Sequence, residues 1–155
     1  MSRWPADVGG TWQDDAIHQH VSFITLASAA LDRAAAFYVD GLGWTPAFRG
    51  EDVLMFRVGP ALMLSLWTEA GFEAEVGPIR RGPGAAPLTL AHNVSSPAAV
   101  DAVLADAQRA GATVVPGEHR AWGGYSGRFS DPDDFRWEVA WNPDPEMAFV
   151  NAPTS

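Results

Sequence analysis

Short apolar runs, separated by glycine and proline, divide the first half of the chain into one helix and several strands. VSFITLAS has the composition of a strand, and apolar positions at helical spacing from Leu31 to Tyr38 predict a helix that ends at the glycines of DGLGW. VLMFRVGPALMLSLW holds two runs joined by Gly-Pro, which indicates a hairpin, and residues 44–49 predict a strand before it. Residues 21–68 therefore form one predicted β-α-β-β-β module.

The same order of elements returns in residues 88–143. LTLAHNV predicts a strand, and Ser96 followed by Pro97 is a favoured N-cap and first position of a helix. Val100 and Leu104 belong to the apolar face of that helix. TVVPGEHRAW, YSGRFS and FRWEVAW predict three more strands. The pattern thus predicts a second β-α-β-β-β module in tandem with the first.

Three segments lie outside the two modules. Residues 1–20 are polar and without a sustained period, so we interpret them as an N-terminal arm whose Trp4 and Trp12 are candidates for docking. Residues 69–87 are rich in glycine and proline, which predicts a long linker and candidate lid. Residues 144–155 form a predicted C-terminal tail.

Composition and charge narrow the function. At 155 residues with 47% hydrophobic residues, the chain is long enough to fold by itself as a globular protein. Its formal charge of −9 disfavours nucleic acid as a partner, and its 7 Trp suggest that some rings line a site. The sequence has no cysteine, no signal-peptide pattern and no apolar run of membrane-spanning length. We therefore expect a cytoplasmic protein with no membrane partner.

A lone carboxylate in the last predicted strand, FRWEVAW, is a candidate for chemistry. Alternation sends Phe135 and Trp137 to one face of the strand, and Arg136 and Glu138 to the other. Glu138 has four interpretations on this pattern alone: a metal ligand, a general base, one half of an ion pair with Arg136, or a solvated edge residue.

Two stretches resemble the vicinal oxygen chelate superfamily, which contains glyoxalase I, bleomycin-resistance proteins and extradiol dioxygenases. LDRAAAFYVDGLGW resembles its first helix and turn, and FSDPDDFRWEVAWNP resembles its closing strand pair. The resemblance implies an α+β fold in which two tandem β-α-β-β-β modules curl into a half-open barrel cup, and it implies a homodimer. The usual DPDG turn of the family is DPDD here, with Asp134 in place of glycine. Aspartate tolerates left-handed backbone better than most residues, so the turn can be kept.

The resemblance also permits a test for a metal. Metal-dependent relatives place one ligand on the first and one on the last strand of each module, which matches Phe23, Ser65, Thr89 and Glu138 in this chain. Phenylalanine has no lone pair to donate, and neutral hydroxyls are weak ligands for a transition metal. We therefore expect no metal and no cofactor, although a displaced, atypical metal site that uses Glu138 stays an alternative.

The sequence pattern places none of the four histidines where it would replace a missing metal ligand of the family. Strand alternation points His92 away from the cup and toward the helices, where a core histidine with a nearby acceptor is expected, unless a bulge reverses the parity. His18 and His20 precede the first strand, and His119 lies in a polar run.

The alternation of the predicted strands also indicates which residues line the cup. This lining combines apolar positions with a few polar groups, which is typical of small-molecule sites. Gly123 and Gly124 would let the rings beside them approach closely, and the alternative for those rings is packing at the strand ends. Besides Glu138, the candidate catalytic residue, the candidate ligand-binding residues are Trp67, Asn93, Trp122, Tyr125 and Arg136.

Two functions fit these features. In the first, the homodimer binds a small aromatic or cationic molecule in its apolar cup without a metal. In the second, the protein is a lyase, isomerase or dioxygenase-like enzyme, for example one similar to lactoylglutathione lyase or another small-carbonyl lyase or isomerase. Glu138 is then the general acid or base, or a ligand of the atypical metal site. The sequence contains no nucleophile and base pair and no oxyanion motif, so it favours binding.

Overall fold

A computed structural model of the chain describes residues 17–151. Residues 1–16, with Trp4 and Trp12 of the predicted arm, lie outside the described residues, as do residues 152–155. None of the helices in residues 17–151 combines the length and the hydropathy that a membrane span requires.

The first module has the predicted order of elements. The helix begins at Leu31 and passes without a break into a π-helical turn, in which the amide of Leu42 donates to the carbonyl of Phe37 at 2.8 Å. The predicted hairpin turns at Pro60. The elements are β1 (Phe23–Ser28), α1 (Leu31–Ala35), the π-helical turn (Ala36–Gly41), β2 (Phe48–Arg49), β3 (Val53–Gly59) and β4 (Leu62–Thr68).

Two parts of the first half differ from the prediction. The strand expected over residues 44–49 is limited to the two residues of β2, because Pro46 lacks an amide donor and the Trp44 ring packs 5.3 Å from both Tyr38 and Phe56. The start of the connection between the modules is helical: α2 (Glu69–Glu75) was not predicted. Its N-cap is Thr68, whose hydroxyl accepts the amide of Gly71 at 3.1 Å.

The second module matches its prediction closely. Ser96 is the N-cap of the helix and accepts the amide of Ala99 at 3.1 Å, and Gly111 follows the helix with a φ of 106°. The elements are β5 (Thr89–Asn93), α3 (Pro97–Arg109), β6 (Thr113–His119), β7 (Tyr125–Ser130) and β8 (Arg136–Trp141), followed by a 3₁₀ helix (Pro145–Val150).

The strands form two four-stranded mixed sheets. Sheet 1 has the order β1-β4-β3-β2, and sheet 2 has the equivalent order β5-β8-β7-β6. In each sheet the first strand of the module runs parallel to the last, and the other pairs are antiparallel. The predicted α+β class with tandem β-α-β-β-β modules is confirmed, and neither sheet is closed into a barrel.

Both sheets pack one face against a common core. The ring of Tyr38 lies 5.7 Å from Phe56 of sheet 1 and 6.3 Å from Trp137 of sheet 2. The ring of Trp44 contacts the same two residues, and Phe37 lies 6.0 Å from Phe129 of sheet 2. We call the face of each sheet that packs on this core its inner face. The two outer faces therefore point away from the core, on opposite sides of it.

A buried polar network joins the two modules. The hydroxyl of Tyr38 donates to Oδ2 of Asp131 at 2.7 Å and accepts the indole N–H of Trp137 at 3.0 Å. Oδ1 of Asp131 accepts the amides of Asp133 and Phe135, both at 2.9 Å. Burial raises the pKa of the Asp131 carboxyl, while the hydrogen bond from Tyr38 and those two amides lower it. The network fixes the first helix of one module against the closing turn of the other.

The DPDD turn makes a second link. Oδ2 of Asp133 accepts the hydroxyl of Ser28 at 2.6 Å, and Oδ1 accepts the amide of Ala29 at 2.9 Å. Asp134 has a φ of 63°, the left-handed backbone that the family fills with glycine. The turn is kept despite the substitution, as the sequence predicts.

Candidate functional site

Glu138 lies on the outer face of sheet 2, as the alternation predicts. It is half-buried in β8, between the neighbouring buried residues Trp137 and Val139, whose side chains belong to the core. Its cross-strand neighbours are Ala91 in β5 and Arg128 in β7. Among residues 17–151, Glu138 has no hydrogen bond and no ion pair within 4.0 Å. A partly buried carboxylate without a fixed partner is available to a ligand.

Arginines flank this carboxylate without pairing with it. Nε of Arg136 lies 3.9 Å from Asp134, and the two side chains are 44% and 60% exposed, so the pair contributes little. Arg128 faces Glu138 across the β7/β8 ladder, but its side chain is exposed and the two charged groups are not in contact. The ion pair between Arg136 and Glu138 that the sequence left open does not form.

The other candidate residues occupy three places. Asn93 is half-buried on the outer face of sheet 2, at the end of β5 opposite Ala140. Trp67 is half-buried on the outer face of sheet 1, where its ring lies 6.4 Å from Phe72 of α2. Trp122 is 53% exposed in the turn before β7. Within one chain, Asn93 shares a face with Glu138 and Trp67 does not.

Tyr125 lies on the inner face of sheet 2, away from Glu138. It alternates along β7 with Ser126, and its hydroxyl donates to Oδ1 of Asp101 on α3 at 2.8 Å. Its ring packs over Gly117, where an added Cβ would lie 2.7 Å from Cζ of Tyr125. The centre of the Tyr125 ring lies 5.1 Å from that of His119. The Tyr125 ring therefore packs at the end of its strand, which is the alternative to ligand binding for this residue.

The four positions matched to the family's metal ligands do not suit a metal. Phe23 is 54% exposed, and the hydroxyl of Thr89 donates to the carbonyl of Arg136 at 3.0 Å. Ser65 is fully buried on the outer face of sheet 1, and its hydroxyl has no hydrogen-bond partner among residues 17–151. In the same range, no three His, Cys, Asp or Glu side chains come together. The donor set therefore does not fit a divalent cation.

His92 lies on the inner face of sheet 2, as its parity predicts, but it does not lie in a filled core. It lines a groove of about 710 Å³ between the two sheets, together with Ile24, Trp44, Leu90 and Trp137. Burial lowers the pKa of the imidazole, and no acceptor or donor within the described part of the chain bonds to it. The alternation indicated the correct face, but no local signal showed that the space beside it is open.

Comparisons with known proteins agree with this fold. The family model of the Glyoxalase/Bleomycin resistance protein/Dioxygenase superfamily matches residues 19–139. A glyoxalase-related enzyme from Fulvimarina pelagi is 31% identical, with a TM-score of 0.73 over 81% of this chain and 90% of that one. Lactoylglutathione lyase from Agrobacterium tumefaciens is 22% identical, with a TM-score of 0.63 over 81% of this chain and 96% of that one.

A third similar structure is a glyoxalase/bleomycin resistance protein/dioxygenase from Nocardioides, which is 22% identical with a TM-score of 0.69 over 81% of this chain and 85% of that one. Among curated proteins, none matches the chain. Identities of 22% show the fold alone, whereas the family model covers most of the chain. The chain belongs to the Glyoxalase/Bleomycin resistance protein/Dioxygenase superfamily.

Proposed function

We propose that the protein binds a small aromatic or cationic molecule on the outer face of sheet 2, with Glu138 as the polar anchor. The observation that carries this proposal is the half-buried Glu138 carboxylate without a partner in the described part of the chain. A carboxylate loses hydration on burial, and a cationic ligand group restores the favourable interactions that water supplied. The formal charge of −9 favours the approach of a cation.

A homodimer completes this site in our proposal. The edge strands β1 and β5 each pair on one side only, with β4 and β8. Phe23 and Leu88 are 54% and 40% exposed beside these edges. Pairing of β1 with β5 of a second copy would set the outer face of sheet 1, with Trp67, beside Glu138 of the other copy. Light scattering at micromolar concentration tests this assembly, and a monomer would contradict it.

The binding test uses 1-naphthylmethylammonium, an aromatic cation, and its neutral analogue 1-naphthylmethanol. A hydrogen bond to a charged group contributes about 1.5–3 kcal/mol, so Glu138→Gln is expected to raise the Kd of the cation about 10- to 100-fold in calorimetry. The Kd of the neutral analogue should change little. Glu118→Gln is the matched control, since Glu118 is exposed and pairs with Arg120.

Stability separates this role from a structural one. Because Glu138 has no partner in the described chain, Glu138→Gln should leave the midpoint of thermal unfolding nearly unchanged. A large loss of stability, with weaker binding only as its consequence, would show that the carboxylate holds strands together. If stability is unchanged and binding is weakened, native mass spectrometry of protein purified from its own host would identify the natural ligand.

Catalysis by the same carboxylate is the second candidate function. A general acid or base must be partly desolvated and free to contact its substrate, and Glu138 is half-buried without a partner within residues 17–151. Turnover of a hemithioacetal by the wild type, lost in Glu138→Gln with the Kd of the substrate unchanged, would favour catalysis over binding.

A further inference from the structure

The groove beside His92 is a second concave site, separate from the outer face that carries Glu138. It opens between β1 and β5 and is lined mainly by inner-face residues of both sheets, with Thr89 and Ala91 of the β5 edge at its rim. No residue of α1, α2 or α3 contributes to it. Its volume of about 710 Å³ falls within the range of pockets that hold small organic molecules. The first helix with its π-helical turn and α3 supply the helical side chains of the shared core, and the groove is the part of the space between the sheets that they leave open.

Aromatic side chains with fixed positions form one wall. The Trp44 and Trp137 rings lie 5.8 Å apart at 83°, and Trp44 meets Phe56 at 5.3 Å and 77°. The hydrogen bond from the Trp137 indole to Tyr38 fixes the orientation of that ring. Ile24, on the opposite side, belongs to sheet 1. Such a preformed apolar wall binds a flat ring with little ordering of its own side chains.

His92 is a half-buried polar group on this surface that has no hydrogen-bond partner within residues 17–151. Because burial lowers its pKa below the ordinary value, the imidazole is neutral at pH 7 and offers one N–H donor and one nitrogen acceptor. A ligand hydroxyl can use either of them.

The interior of the groove offers no counter-charge to an ionic ligand among the described residues that line it. Arg57 is the arginine of the lining, and it is exposed. Its Nη2 and Nε donate to the carbonyls of Pro60 and Gly59 at 2.8 and 3.4 Å, so the guanidinium is held at the β3/β4 turn. An ionic group placed between the aromatic wall and His92 would lose hydration without gaining a counter-charge.

We propose that this groove binds an uncharged aromatic molecule that carries one hydroxyl group, of the phenol or naphthol class. The ring lies against Trp44 and Trp137, and the hydroxyl forms a hydrogen bond with the imidazole of His92. This site is on the inner side of the sheets, and it does not require the Glu138 carboxylate. It does require that the proposed homodimer, in which β1 pairs with β5 of a second copy, leaves the groove between these strands unfilled.

Calorimetry with 2-naphthol tests the proposal, with 2-naphthalenesulfonate as the charged analogue. We expect the wild type to bind 2-naphthol and not the sulfonate. His92→Phe keeps the apolar volume and removes the hydrogen bond, so it should raise the Kd about tenfold, which corresponds to about 1.4 kcal/mol. Leu62→Trp, which places a larger ring at the groove, should abolish binding. Far-UV circular dichroism verifies that both variants fold.

The two proposed sites are distinguishable with the same variants. His92→Phe should leave the Kd of 1-naphthylmethylammonium unchanged, and Glu138→Gln should leave that of 2-naphthol unchanged. The groove proposal is overturned if 2-naphthol does not bind the wild type, or if Glu138→Gln weakens it and His92→Phe does not. It is also overturned if the affinity for 2-naphthol falls as the protein dimerises, since a second copy would then fill the groove.

Discussion

Replacing Tyr38 by phenylalanine removes one oxygen atom from the contact between the two modules. The hydroxyl is completely buried, donates to Asp131 at 2.7 Å and accepts from Trp137 at 3.0 Å. The lost hydrogen bond to the charged Asp131 costs about 1.5–3 kcal/mol. The buried indole N–H of Trp137, left without an acceptor, adds about 1–3 kcal/mol. We expect Tyr38→Phe to lower the free energy of unfolding by about 2.5–6 kcal/mol, a large part of the stability of a typical domain.

Tyr125→Phe is the matched control for this substitution. Tyr125 also donates to an aspartate, Asp101, at 2.8 Å, but this hydrogen bond is exposed to solvent. Water replaces the lost partner there, so the expected cost is below about 1 kcal/mol. Urea unfolding followed by far-UV circular dichroism and tryptophan fluorescence measures both variants. Equal costs for the two tyrosines would refute the claim that burial makes the Tyr38 network important.

The cost of Tyr38→Phe should also depend on pH. Burial raises the pKa of Asp131 and the Tyr38 hydroxyl lowers it, so the variant has a still higher folded-state pKa. In the variant, Asp131 then binds a proton more tightly in the folded chain than in the unfolded chain. The free energy of unfolding of the variant therefore falls as the pH rises from 3.8, the ordinary pKa of an aspartate, through the raised pKa of the folded state. We expect a smaller difference from the wild type at pH 4 than at pH 7. A constant difference would mean that the charge of Asp131 is not involved.

Three further substitutions, one of them with a matched control, test other parts of the fold by urea unfolding. Asp134→Gly relieves the left-handed backbone at the cost of a weak ion pair, so we expect a gain of about 0.5 kcal/mol, whereas a loss would show that the ion pair matters more. Ser65→Ala removes a buried hydroxyl without a partner in the described chain and should stabilise the fold by up to about 1 kcal/mol; a clear loss would reveal a hidden partner. In Gly127→Ala the new Cβ meets Leu104 at 2.5 Å and a backbone oxygen at 2.7 Å, so a loss of about 1–3 kcal/mol is expected. Gly124→Ala, which meets the exposed Trp122 ring, should cost less.

Local patterns predicted the elements whose cause is local. The Ser96 N-cap, the turn at Pro60 and the alternation in β8 all follow from the identities of neighbouring residues, and the structure agrees at each. The sequence pattern does not predict the short helix α2, because EAGFEAE has a glycine in its first turn and no apolar period. This helix begins at an N-cap supplied by Thr68 of the preceding strand.

Contacts between distant residues could not be read in the same way. DPDD contains three aspartates, and nothing in the turn itself shows that Asp131 is buried against Tyr38, 93 residues earlier. Likewise, alternation placed His92 on the helix side, where a packed core was expected, but the length and position of the helices decide whether that space is filled. Each of these outcomes depends on how the two modules pack together.

The packing of the modules separates stability from binding in this molecule. Both modules bury their inner faces in one core, and the Asp131 network holds them there. The outer face that carries Glu138 is not required by that core, so its side chains can change with little cost in stability. The groove at His92 differs, because Trp137 serves both the groove and the network through its bond to Tyr38. Substitutions at Trp137 should therefore affect folding and binding of 2-naphthol together, while those at His92 should affect binding alone.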